Sequence, residues 1–374
     1  MRRRILIVDD EPGMLRAVRR VLEQSYDVLC ASSPDEALAG FEEFHPDLAI
    51  LDIRMPGMDG FELIGRLKGE RPDLDVILMT GSVGESDRKL VRAIREKAFY
   101  FIQKPFDREV LQTLVERCLE LRTLAERSRS HTRWLEGVLG EARAFQDSLL
   151  PDPEARIGAI RVGAGYLSCD DLGGDFYDYA SCGREAVAFL IADVSGHGTS
   201  AAMLTGVVKS AFQSCSGERY EPAAVVERVF AGIRTFSANR FVTLFCGRLD
   251  AEERSLDYVN AGHPPAIVWE ADAAGSRELL GPTGPLVSPV LEAACWRQQR
   301  RSFNAGQRIL LYTDGVTEAP GSSGFYDLER LQEAITRAPA GGAQLVDAVV
   351  GDVRRHMQGR RAEDDMTLLT VGLS

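Results

Sequence analysis

The chain begins with a short apolar run that ends in acids, ILIVDDE at residues 5–11. Consecutive apolar residues of this kind are typical of a strand that is buried on both faces of a parallel sheet. A helical pattern follows at once, with apolar side chains at positions 14, 18, 21 and 22. The run therefore predicts the first strand and helix of an α/β domain, with acidic side chains at the carboxyl end of that strand.

Strand and helix patterns keep alternating through the first hundred-odd residues. Strand-like runs lie at 27–31, 47–52, 76–80 and 99–103, and helical patterns lie at 12–24, 34–44, 59–69, 85–97 and from about 107 onward. This regular alternation predicts a doubly wound, parallel, five-stranded α/β domain. In such a fold the functional side chains lie at the carboxyl ends of the strands.

Side chains with phosphoryl-transfer chemistry follow these strand ends. Asp9 and Asp10 end the first strand, Asp52 the third, Thr80 the fourth and Lys104 the fifth. Clustered carboxylates repel one another unless a cation lies among them, and Mg²⁺ prefers such oxygen ligands. A carboxylate beside this metal can act as a nucleophile toward phosphorus, with Lys104 stabilising the added charge and the Thr80 hydroxyl binding it.

These residues stand in motifs that resemble the CheY-like receiver domain of two-component response regulators. The motifs are VDDE at 8–11, LDIRMPGMDG at 51–60, MTG at 79–81 and FIQKPF at 101–106, and the resemblance covers residues 1–120. It implies one Mg²⁺ in the receiver and a sensor histidine kinase as partner. It also implies a role for each matching residue: Asp52 as phosphoacceptor and metal ligand, Asp9 and Asp10 as acidic metal ligands, the carbonyl of Arg54 as a further ligand, Thr80 and Phe101 as the switch pair, Lys104 as the family's invariant lysine, and Lys104–Pro105 as a cis peptide bond. A degenerate receiver that no longer accepts phosphate is the alternative, but every expected side chain is present.

A long helical connector follows, over residues 108–150. It contains no proline and two glycines, Gly137 and Gly140. Apolar or small residues recur at steps of three and four, strongly at the start and weakly in the middle: Leu111, Leu114, Cys118, Leu121, Ala125, Ser128, Thr132, Leu135, Leu139 and Ala142. This heptad seam favours a two-stranded coiled coil that makes a homodimer, over a single exposed helix that packs on its own domains. The polar centre suits a switch element, and prolines at 151 and 153 end the helix.

The last part of the chain, residues 151–374, has a different pattern. Strand-like runs lie at 160–166, 186–192, 240–249, 256–260, 266–269, 308–313 and 366–371, and helical patterns lie at 199–213, 222–238, 327–337 and 343–357. Runs of strands followed by pairs of helices predict an α+β domain with two antiparallel sheets flanked by helices.

The carboxylates of this domain also lie beside strand ends and glycines. They are Asp175 in GGDFYD, Asp193 in ADVSGHG, Asp314 in YTDGVTE, and Asp364 and Asp365 in EDDMT. An all-oxygen ligand set indicates Mg²⁺ or Mn²⁺ rather than zinc. Several separated carboxylates can hold two metals about 3.5–4 Å apart, which would activate a water molecule to attack phosphorus without a protein nucleophile.

This domain resembles the RsbU/SpoIIE-type phosphatases, a bacterial branch of the type 2C serine/threonine phosphatases. Further matching segments are AFQDSLLP at 144–151, FVTLFCG at 241–247 and NAGHPPAIV at 260–268. The resemblance implies a role for each matching residue: Asp175 and Asp193 shared between two Mn²⁺ or Mg²⁺ ions, the carbonyl of Val194 as a backbone ligand, Asp314 and Asp364 as the remaining carboxylates, and Asp365 and Asp178 in supporting positions. His197 and His263 lie in glycine-rich turns, where we expect them to brace loops rather than to act in catalysis.

The two resemblances together imply a response regulator whose phosphorylated receiver controls a phosphoserine or phosphothreonine protein phosphatase. The expected substrate is a phosphorylated anti-sigma-factor antagonist of a partner-switching pathway. A module that sequesters a partner without turnover is the alternative from another class, and it would be favoured by loss of a metal carboxylate. A DNA-binding regulator is disfavoured, because no helix-turn-helix pattern follows the receiver.

Composition argues against a nucleic-acid-binding, a membrane-spanning or a secreted protein. The formal net charge of -12 argues against a non-specific nucleic-acid binder. No stretch approaches the ~20 apolar residues of a membrane span, and the run after the arginines at 2–4 is too short for a secretory signal. The seven cysteines are scattered and lack any CxxC spacing. We therefore expect a cytoplasmic protein with reduced thiols.

Overall fold

The structure is a computed structural model that describes residues 2–81, 100–196, 198–236, 240–270, 277–293, 295–322, 324–338 and 342–374. The predicted helix at 85–97 and His197 lie outside the described residues. The chain divides into two compact parts, which we call the N-terminal unit (Met1–Leu135) and the C-terminal unit (Glu136–Ser374). The division falls inside the predicted connector.

The N-terminal unit contains a five-stranded parallel sheet in the order β2-β1-β3-β4-β5. Its strands are β1 (Arg4–Val8), β2 (Asp27–Ala31), β3 (Leu48–Asp52), β4 (Asp75–Thr80) and β5 (Tyr100–Gln103), and its first helices are α1 (Pro12–Leu22), α2 (Pro34–Phe44) and α3 (Gly60–Glu70). The doubly wound fold predicted from the sequence is confirmed.

Strand β1 is apolar throughout because both of its faces are covered. Ile5 and Ile7 lie in one hydrophobic cluster, and Leu6 and Val8 lie in another on the opposite face of the sheet. The ends of the strands are therefore where polar side chains can reach solvent. Helices α2 and α3 begin at side-chain caps: the Ser33 hydroxyl accepts a hydrogen bond from the amide of Glu36, and the Asp59 carboxylate accepts one from the amide of Glu62.

A single helix of 42 residues, α4 (Arg108–Leu149), follows β5, and we call it the linker helix. Its first turns belong to the core of the N-terminal unit. Leu111 is fully buried, Cys118 is 3% exposed, and both lie in the same cluster as Ile5. Leu114 packs against that cluster. The first three positions of the predicted coiled-coil seam therefore face the unit's own sheet and are not available to a partner helix, which corrects that part of the prediction.

The middle of the linker helix is exposed over residues 127–138. From residue 121 to residue 145, the linker helix exposes six large apolar side chains: Leu121, Leu124, Trp134, Leu135, Val138 and Phe145. Of these, positions 121, 124, 135, 138 and 145 fit one series with steps of three and four. Among the helices described, none combines the length and the apolar character needed to cross a membrane.

The C-terminal unit contains two large antiparallel sheets, ordered β14-β11-β10-β9-β8 and β13-β12-β15-β18-β7-β6, and a two-stranded sheet, β16-β17. The strands are β6 (Glu154–Ile157), β7 (Ile160–Leu167), β8 (Asp175–Ser181), β9 (Ala186–Val194), β10 (Val242–Asp250), β11 (Ser255–Ala261), β12 (Ala266–Glu270), β13 (Arg277–Leu280), β14 (Gln299–Ser302), β15 (Gln307–Tyr312), β16 (Pro320–Gly321), β17 (Gly324–Phe325) and β18 (Met366–Leu373). The helices are α5 (Thr199–Ser214), α6 (Pro222–Ile233), α7 (Asp314–Thr317), α8 (Asp327–Arg337) and α9 (Gly342–Met357), with a 3₁₀ turn at Ser216–Glu218.

Alternating side chains of each sheet build two kinds of core. Phe189 and Ile191 of β9 pack between the sheets, whereas Leu190 of the same strand packs under helices α5 and α6. On the other sheet, Leu368 packs under helices α8 and α9. The order of layers is helices, sheet, sheet, helices, which confirms the predicted pair of antiparallel sheets flanked by helices.

Some elements differ from the prediction. Helix α6 ends at Ile233 rather than near residue 238, and strands β6, β8, β13 and β14 were not predicted. Strand β8 reads DFYDYAS, and its two acids hide the strand pattern. Both carboxylates can be buried in this strand because side chains from other parts of the chain donate hydrogen bonds to them.

The burial of the linker helix leads to a stability prediction. We expect Leu111→Ala to lower the free energy of unfolding of the N-terminal unit by about 2–5 kcal/mol, because it opens a cavity in a closed core. The matched change Val110→Ala, in the first turn of the same helix, truncates a side chain that is 52% exposed, and it should cost less than about 1 kcal/mol. Calorimetry of the full chain compares the two. Equal losses would show that the helix start is not part of this core.

Candidate metal centres

Three acids meet at the carboxyl edge of the parallel sheet. Asp9 and Asp52 follow the neighbouring strands β1 and β3 and are almost fully buried, while Asp10 is exposed. One ligand oxygen from each lies within 4.8 Å of the others. The Nζ of Lys104 lies 2.6 Å from Asp9 Oδ2 and 2.8 Å from Asp52 Oδ1. The structure thus brings together four of the side chains that the sequence analysis selected.

The charges at this edge do not balance. Burial raises the pKa of Asp52, although the hydrogen bond from Lys104 opposes this. Burial alone would lower the pKa of Lys104, but its hydrogen bonds to Asp52 and Asp9 outweigh burial and raise that pKa. One ammonium group, which contacts two of the three carboxylates, leaves a net negative charge, and an oxygen-rich acidic site of this kind fits a hard divalent cation.

The backbone around Asp52 and Lys104 completes this edge. The amide of Arg54 donates to Asp52 Oδ2 at 3.2 Å, and the Lys104–Pro105 peptide bond is cis, as the receiver resemblance implies. The amide of Lys104 donates to the carbonyl of Thr80 at 2.7 Å. Phe101 is half-buried on β5, next to β4. The ligand role of the Arg54 carbonyl and the switching roles of Thr80 and Phe101 stay predictions.

A second group of acids lies in the C-terminal unit, and its centre is a pair of facing carboxylates. Asp175 is the first residue of β8 and pairs directly with Asp193 of β9 across the antiparallel ladder. Both side chains project from the face that packs between the sheets, because their neighbours Tyr177 and Ile191 lie in that core. Like charges directly opposite one another destabilise a sheet, so this pair requires a compensating group.

Two threonines hold the first of these carboxylates. The hydroxyls of Thr313 and Thr367 each donate to Asp175 Oδ2 at 2.7 Å, and all three residues are buried. The Thr313 oxygen also accepts a hydrogen bond from the amide of Thr367 at 2.9 Å. The carboxylate of Asp175 is therefore fixed in one orientation. Sequence reasoning missed both threonines, although each lies within two residues of an acid already selected, in YTDG and EDDMT.

The remaining acids come from the adjacent strand ends. Asp314 follows β15 and Asp364 precedes β18, two strands that pair with each other. Asp365 is buried, and its two carboxylate oxygens accept hydrogen bonds from the amides of Cys169 at 2.9 Å and Gly174 at 2.7 Å. Asp365 therefore fixes the backbone of the loop before Asp175, and Asp364 is left on the exposed side.

The electrostatics of this group favour a cation. Burial raises the pKa of Asp193 to about 7, helped by the charges of Asp314, Asp364 and Asp365. Burial and the charge of Asp193 hold the pKa of Asp175 well above its usual value, and burial raises that of Asp314. A bound cation stabilises the ionised form of carboxylates whose pKa is raised in this way. The donors are all oxygens, which fits Mg²⁺ or Mn²⁺.

The carbonyl of Val194, which the resemblance implies as a backbone ligand, lies close to Gly174, and its ligand role stays a prediction. A Cβ atom on Gly174 would lie 2.5 Å from the carbonyl oxygen of Val194 and 2.9 Å from that of Gly196, so only glycine allows this approach. The amide of Val194 donates to the carbonyl of Gly174 at 3.1 Å. Val194 thus lies where the loop before Asp175 meets the end of β9.

The acids of the C-terminal unit are spread more widely than those of the N-terminal unit. Within the described ranges, the trio of Asp9, Asp10 and Asp52 alone brings three such side-chain ligands within 4.8 Å of one another. A wider spread suits two ions that lie about 3.5–4 Å apart, each with its own ligands.

Asp178 has a different environment from Asp175. It lies on the opposite face of β8, is 1% exposed, and its Oδ2 accepts hydrogen bonds from Lys209 Nζ at 3.2 Å and Gln213 Nε2 at 2.9 Å. It forms a buried ion pair with helix α5, so we do not include it in the proposed metal site.

Family models match both units. The model described as the response regulator receiver domain matches residues 5–116. The model described as stage II sporulation protein E (SpoIIE) matches residues 183–374, which is more than half of the chain. The chain belongs to the SpoIIE family. Its C-terminal unit is a SpoIIE-family domain of the PP2C type, and its N-terminal unit is a response regulator receiver.

Relatives of the SpoIIE-family domain include two curated proteins and a solved structure. Protein IcfG of Synechocystis sp. is 26% identical over 262 residues, covering 62% of this chain and 41% of that protein. The phosphoserine phosphatase RsbP of Bacillus subtilis is 28% identical over 235 residues, covering 62% of this chain and 56% of that protein. The chain thus spans about half the length of these relatives. The SiaA-PP2C domain of Pseudomonas aeruginosa has a TM-score of 0.58 at 18% identity and covers 65% of this chain and 99% of that chain, which supports the fold.

His263 of the SpoIIE-family domain braces a turn. It is 1% exposed, its Nδ1 lies 2.9 Å from Thr243 Oγ1, and its amide donates to Asn260 Oδ1 at 2.8 Å. Burial lowers its pKa to about 3, so the ring is neutral at physiological pH. A neutral, enclosed ring fits the bracing role expected from the sequence.

The burial of His263 predicts a pH dependence of stability. Above pH 6.5 the ring is neutral in both the folded and the unfolded chain and contributes no slope. Below pH 6.5, His263 binds a proton in the unfolded chain, whereas in the folded chain it stays neutral down to about pH 3. The free energy of unfolding therefore falls as the pH falls. Between pH 7.5 and pH 5, wild type should lose about 2 kcal/mol more than His263→Asn. Parallel losses in urea titrations of the two proteins would contradict a buried neutral ring.

Proposed function

We propose that this protein is a response regulator whose phosphorylated receiver controls a metal-dependent phosphoserine or phosphothreonine protein phosphatase. The observation that carries the proposal is the facing pair of Asp175 and Asp193, buried and raised in pKa in a SpoIIE-family domain. An antiparallel sheet keeps two opposed carboxylates of this kind when a cation is bound between them. The name of RsbP, a phosphoserine phosphatase, supports this reaction class.

The phosphatase site is assembled from oxygen ligands. Asp175, Asp193, Asp314 and Asp364, with the carbonyl of Val194, would hold two Mn²⁺ or Mg²⁺ ions. When bound, these ions supply Lewis acidity toward the phosphate ester and lower the pKa of a water molecule. The chain's own part is to orient ligands: the threonine hydroxyls fix the Asp175 carboxylate, and Asp365 fixes the loop before it. No protein nucleophile is required.

The receiver site supplies the control. Asp52 accepts the phosphoryl group from a phosphohistidine of a sensor kinase, so a carboxylate–phosphorus bond forms as the histidine–phosphorus bond breaks. Asp9, Asp10 and the carbonyl of Arg54 would hold Mg²⁺ beside it. Lys104 already lies 2.8 Å from Asp52 and neutralises part of the added charge. The hydroxyl of Thr80 then binds the phosphoryl group, and Phe101 moves with it.

The substrate that this proposal favours is a phosphorylated anti-sigma-factor antagonist, or a similar small phosphoprotein, in the cytoplasm. Its dephosphorylation would release a sigma factor through partner switching. A sequestering module remains the second candidate from another class. The structure disfavours it on one specific point: each metal carboxylate that the resemblance implies is present, and Asp175 is held in one orientation by two buried hydroxyls.

The phosphatase activity can be tested directly. We expect Mn²⁺-dependent phosphate release from a phosphoserine protein, and at least a ~100-fold loss in Asp314→Asn because a metal ligand is removed. Asp347→Asn, an exposed acid on helix α9, is the matched control and should keep the wild-type rate. Beryllofluoride on Asp52 should change the wild-type rate and leave Asp52→Ala unchanged.

The outcomes separate the two candidates. Turnover that Asp314→Asn abolishes establishes the phosphatase. A stable complex with the phosphoprotein and no phosphate release at any Mn²⁺ concentration would support the sequestering module instead. A rate that is equal with and without beryllofluoride would remove the receiver from control.

We also infer that the protein forms a homodimer through the exposed part of the linker helix. The seam differs from the one expected from the sequence: it runs through positions 121, 124, 128, 131, 135, 138, 142 and 145, which keep the steps of three and four. Five of these positions carry exposed large apolar side chains, and the other three are Ser128, His131 and Ala142. This spacing is that of a two-stranded coiled coil. A second copy would cover the side chains that one chain leaves in solvent.

Self-association tests this seam. The double variant Leu135→Glu with Val138→Glu places charges in it, and we expect its dimer dissociation constant to rise at least ~100-fold, because buried like charges repel. Ser130→Glu with Arg133→Glu adds the same residues on the other side of the helix and should remain dimeric. Sedimentation at several protein concentrations measures both. A wild type that is monomeric at every concentration would overturn the proposed dimer.

A further inference from the structure

One side chain of the linker helix is buried against residues 168–174 of its own C-terminal unit, the loop before Asp175, which we call the metal loop. Gln146 lies one turn before the end of the helix and is 7% exposed, whereas its neighbour Phe145 is 67% exposed. Its Nε2 donates to the carbonyl of Gly173 at 2.7 Å, and its Oε1 accepts from the amide of Gly173 at 3.2 Å. A single amide thus satisfies both backbone groups of one loop residue.

The backbone at Gly173 lies close to two side chains of the same unit. A Cβ atom there would overlap the hydroxyl of Tyr166 and the carboxylate of Asp365, so the backbone passes through a space that fits glycine. Its peptide groups are also buried, and without Gln146 both would lose their partner. The amide of Gln146 is therefore matched to this one backbone position.

The contact is two residues away from the facing carboxylates. Next along the chain, the amide of Gly174 donates to Asp365 Oδ2 at 2.7 Å and its carbonyl accepts from Val194 at 3.1 Å. Asp175 comes next and pairs with Asp193. The hydrogen bonds of Gln146 thus join the linker helix to a continuous set of bonds that ends at two proposed metal ligands.

Around this contact the helix and the loop are not closely packed. Leu139 and Arg143 of the helix and Leu172 of the loop line a cavity of about 400 Å³. Leu149, at the end of the helix, packs against the core between the sheet and helices α5 and α6. The helix end is therefore anchored by apolar packing, while the loop is tied to the helix by the hydrogen bonds of Gln146.

We propose that Gln146 is a positioning residue for the metal site, and that the linker helix sets the position of Asp175 through it. A shift or rotation of the last turn of the helix withdraws the amide from Gly173 and releases the loop. This inference rests on the proposed phosphatase function and adds the residue through which the helix reaches the site. It assigns a function to the glutamine in AFQDSLLP, which the sequence analysis did not select.

The test uses the full chain with Gln146→Ala and Gln146→Leu, the second of which keeps the bulk and loses both hydrogen bonds. Glu141→Ala, an exposed residue on the same helix, is the matched control. Hydrogen–deuterium exchange of peptides over residues 168–176 should become at least ~10-fold faster in both Gln146 variants and stay unchanged in the control. Calorimetric Mn²⁺ affinity should fall ~10-fold or more, as for other residues that orient metal ligands.

Each outcome decides a separate point. Three results in the Gln146 variants together support the positioning role. Hydrogen–deuterium exchange becomes faster over residues 168–176 but not over β11, Mn²⁺ binds more weakly, and the phosphatase rate no longer responds to beryllofluoride. Unchanged exchange and Mn²⁺ affinity in Gln146→Ala would overturn it, whatever the rate. If wild type releases no phosphate while the variants still show faster exchange and weaker Mn²⁺ binding, the positioning role stands and the proposed phosphatase function fails.

Discussion

The C-terminal unit depends on one unfavourable interaction, the direct opposition of Asp175 and Asp193 across an antiparallel ladder. Folding brings these carboxylates together and removes them from water, so their repulsion has to be offset within the structure. Thr313 and Thr367 contribute hydrogen bonds, which orient a carboxylate without neutralising it. The receiver meets the same difficulty at Asp9 and Asp52 and offsets part of it with the ammonium of Lys104. In both sites the remaining charge is what makes a divalent cation the fitting partner.

The sequence was most informative where structure is local. Helices α2 and α8 have the predicted boundaries, since their amphipathic patterns and their starting residues are contained within a few neighbouring residues. Helix α2 starts at Pro34 after the Ser33 cap, and at the start of α8 the Asp327 carboxylate accepts a hydrogen bond from the amide of Arg330. Acids at strand ends were also found from the sequence, because a parallel sheet brings the ends of its strands to one edge. The threonines at the Asp175 site were missed for the opposite reason. Their contacts join residues 138 and 192 positions apart, and no local pattern reports such a pairing.

The linker helix shows why a correct helix prediction led to a seam that is wrong at its first three positions. A helix that packs on a sheet and a helix that packs on a second helix both place apolar residues at steps of three and four. Over the few turns from Leu111 to Cys118, the two patterns cannot be distinguished by spacing. Burial distinguishes them: these side chains lie in the core of the N-terminal unit, and the exposed series starts at Leu121.

The ends of the linker helix are fixed by contacts of different kinds, and its middle is not. Leu111 is held by apolar packing, which tolerates small displacements, whereas Gln146 is held by two hydrogen bonds, which are lost within a short displacement. Residues 127–138 are exposed and include the polar stretch from Ser128 to Thr132, so in one chain this part depends on helical hydrogen bonds and propensity alone. A second helix packed there would stabilise the segment more than any other part of the helix. We therefore expect pairing of residues 127–138 with a second helix to be coupled to the hydrogen bonds of Gln146, because both belong to one continuous helix. The hydrogen bonds of Gln146 depend more sharply on distance than the packing of Leu111, and they lie at the helix end that contacts the metal loop.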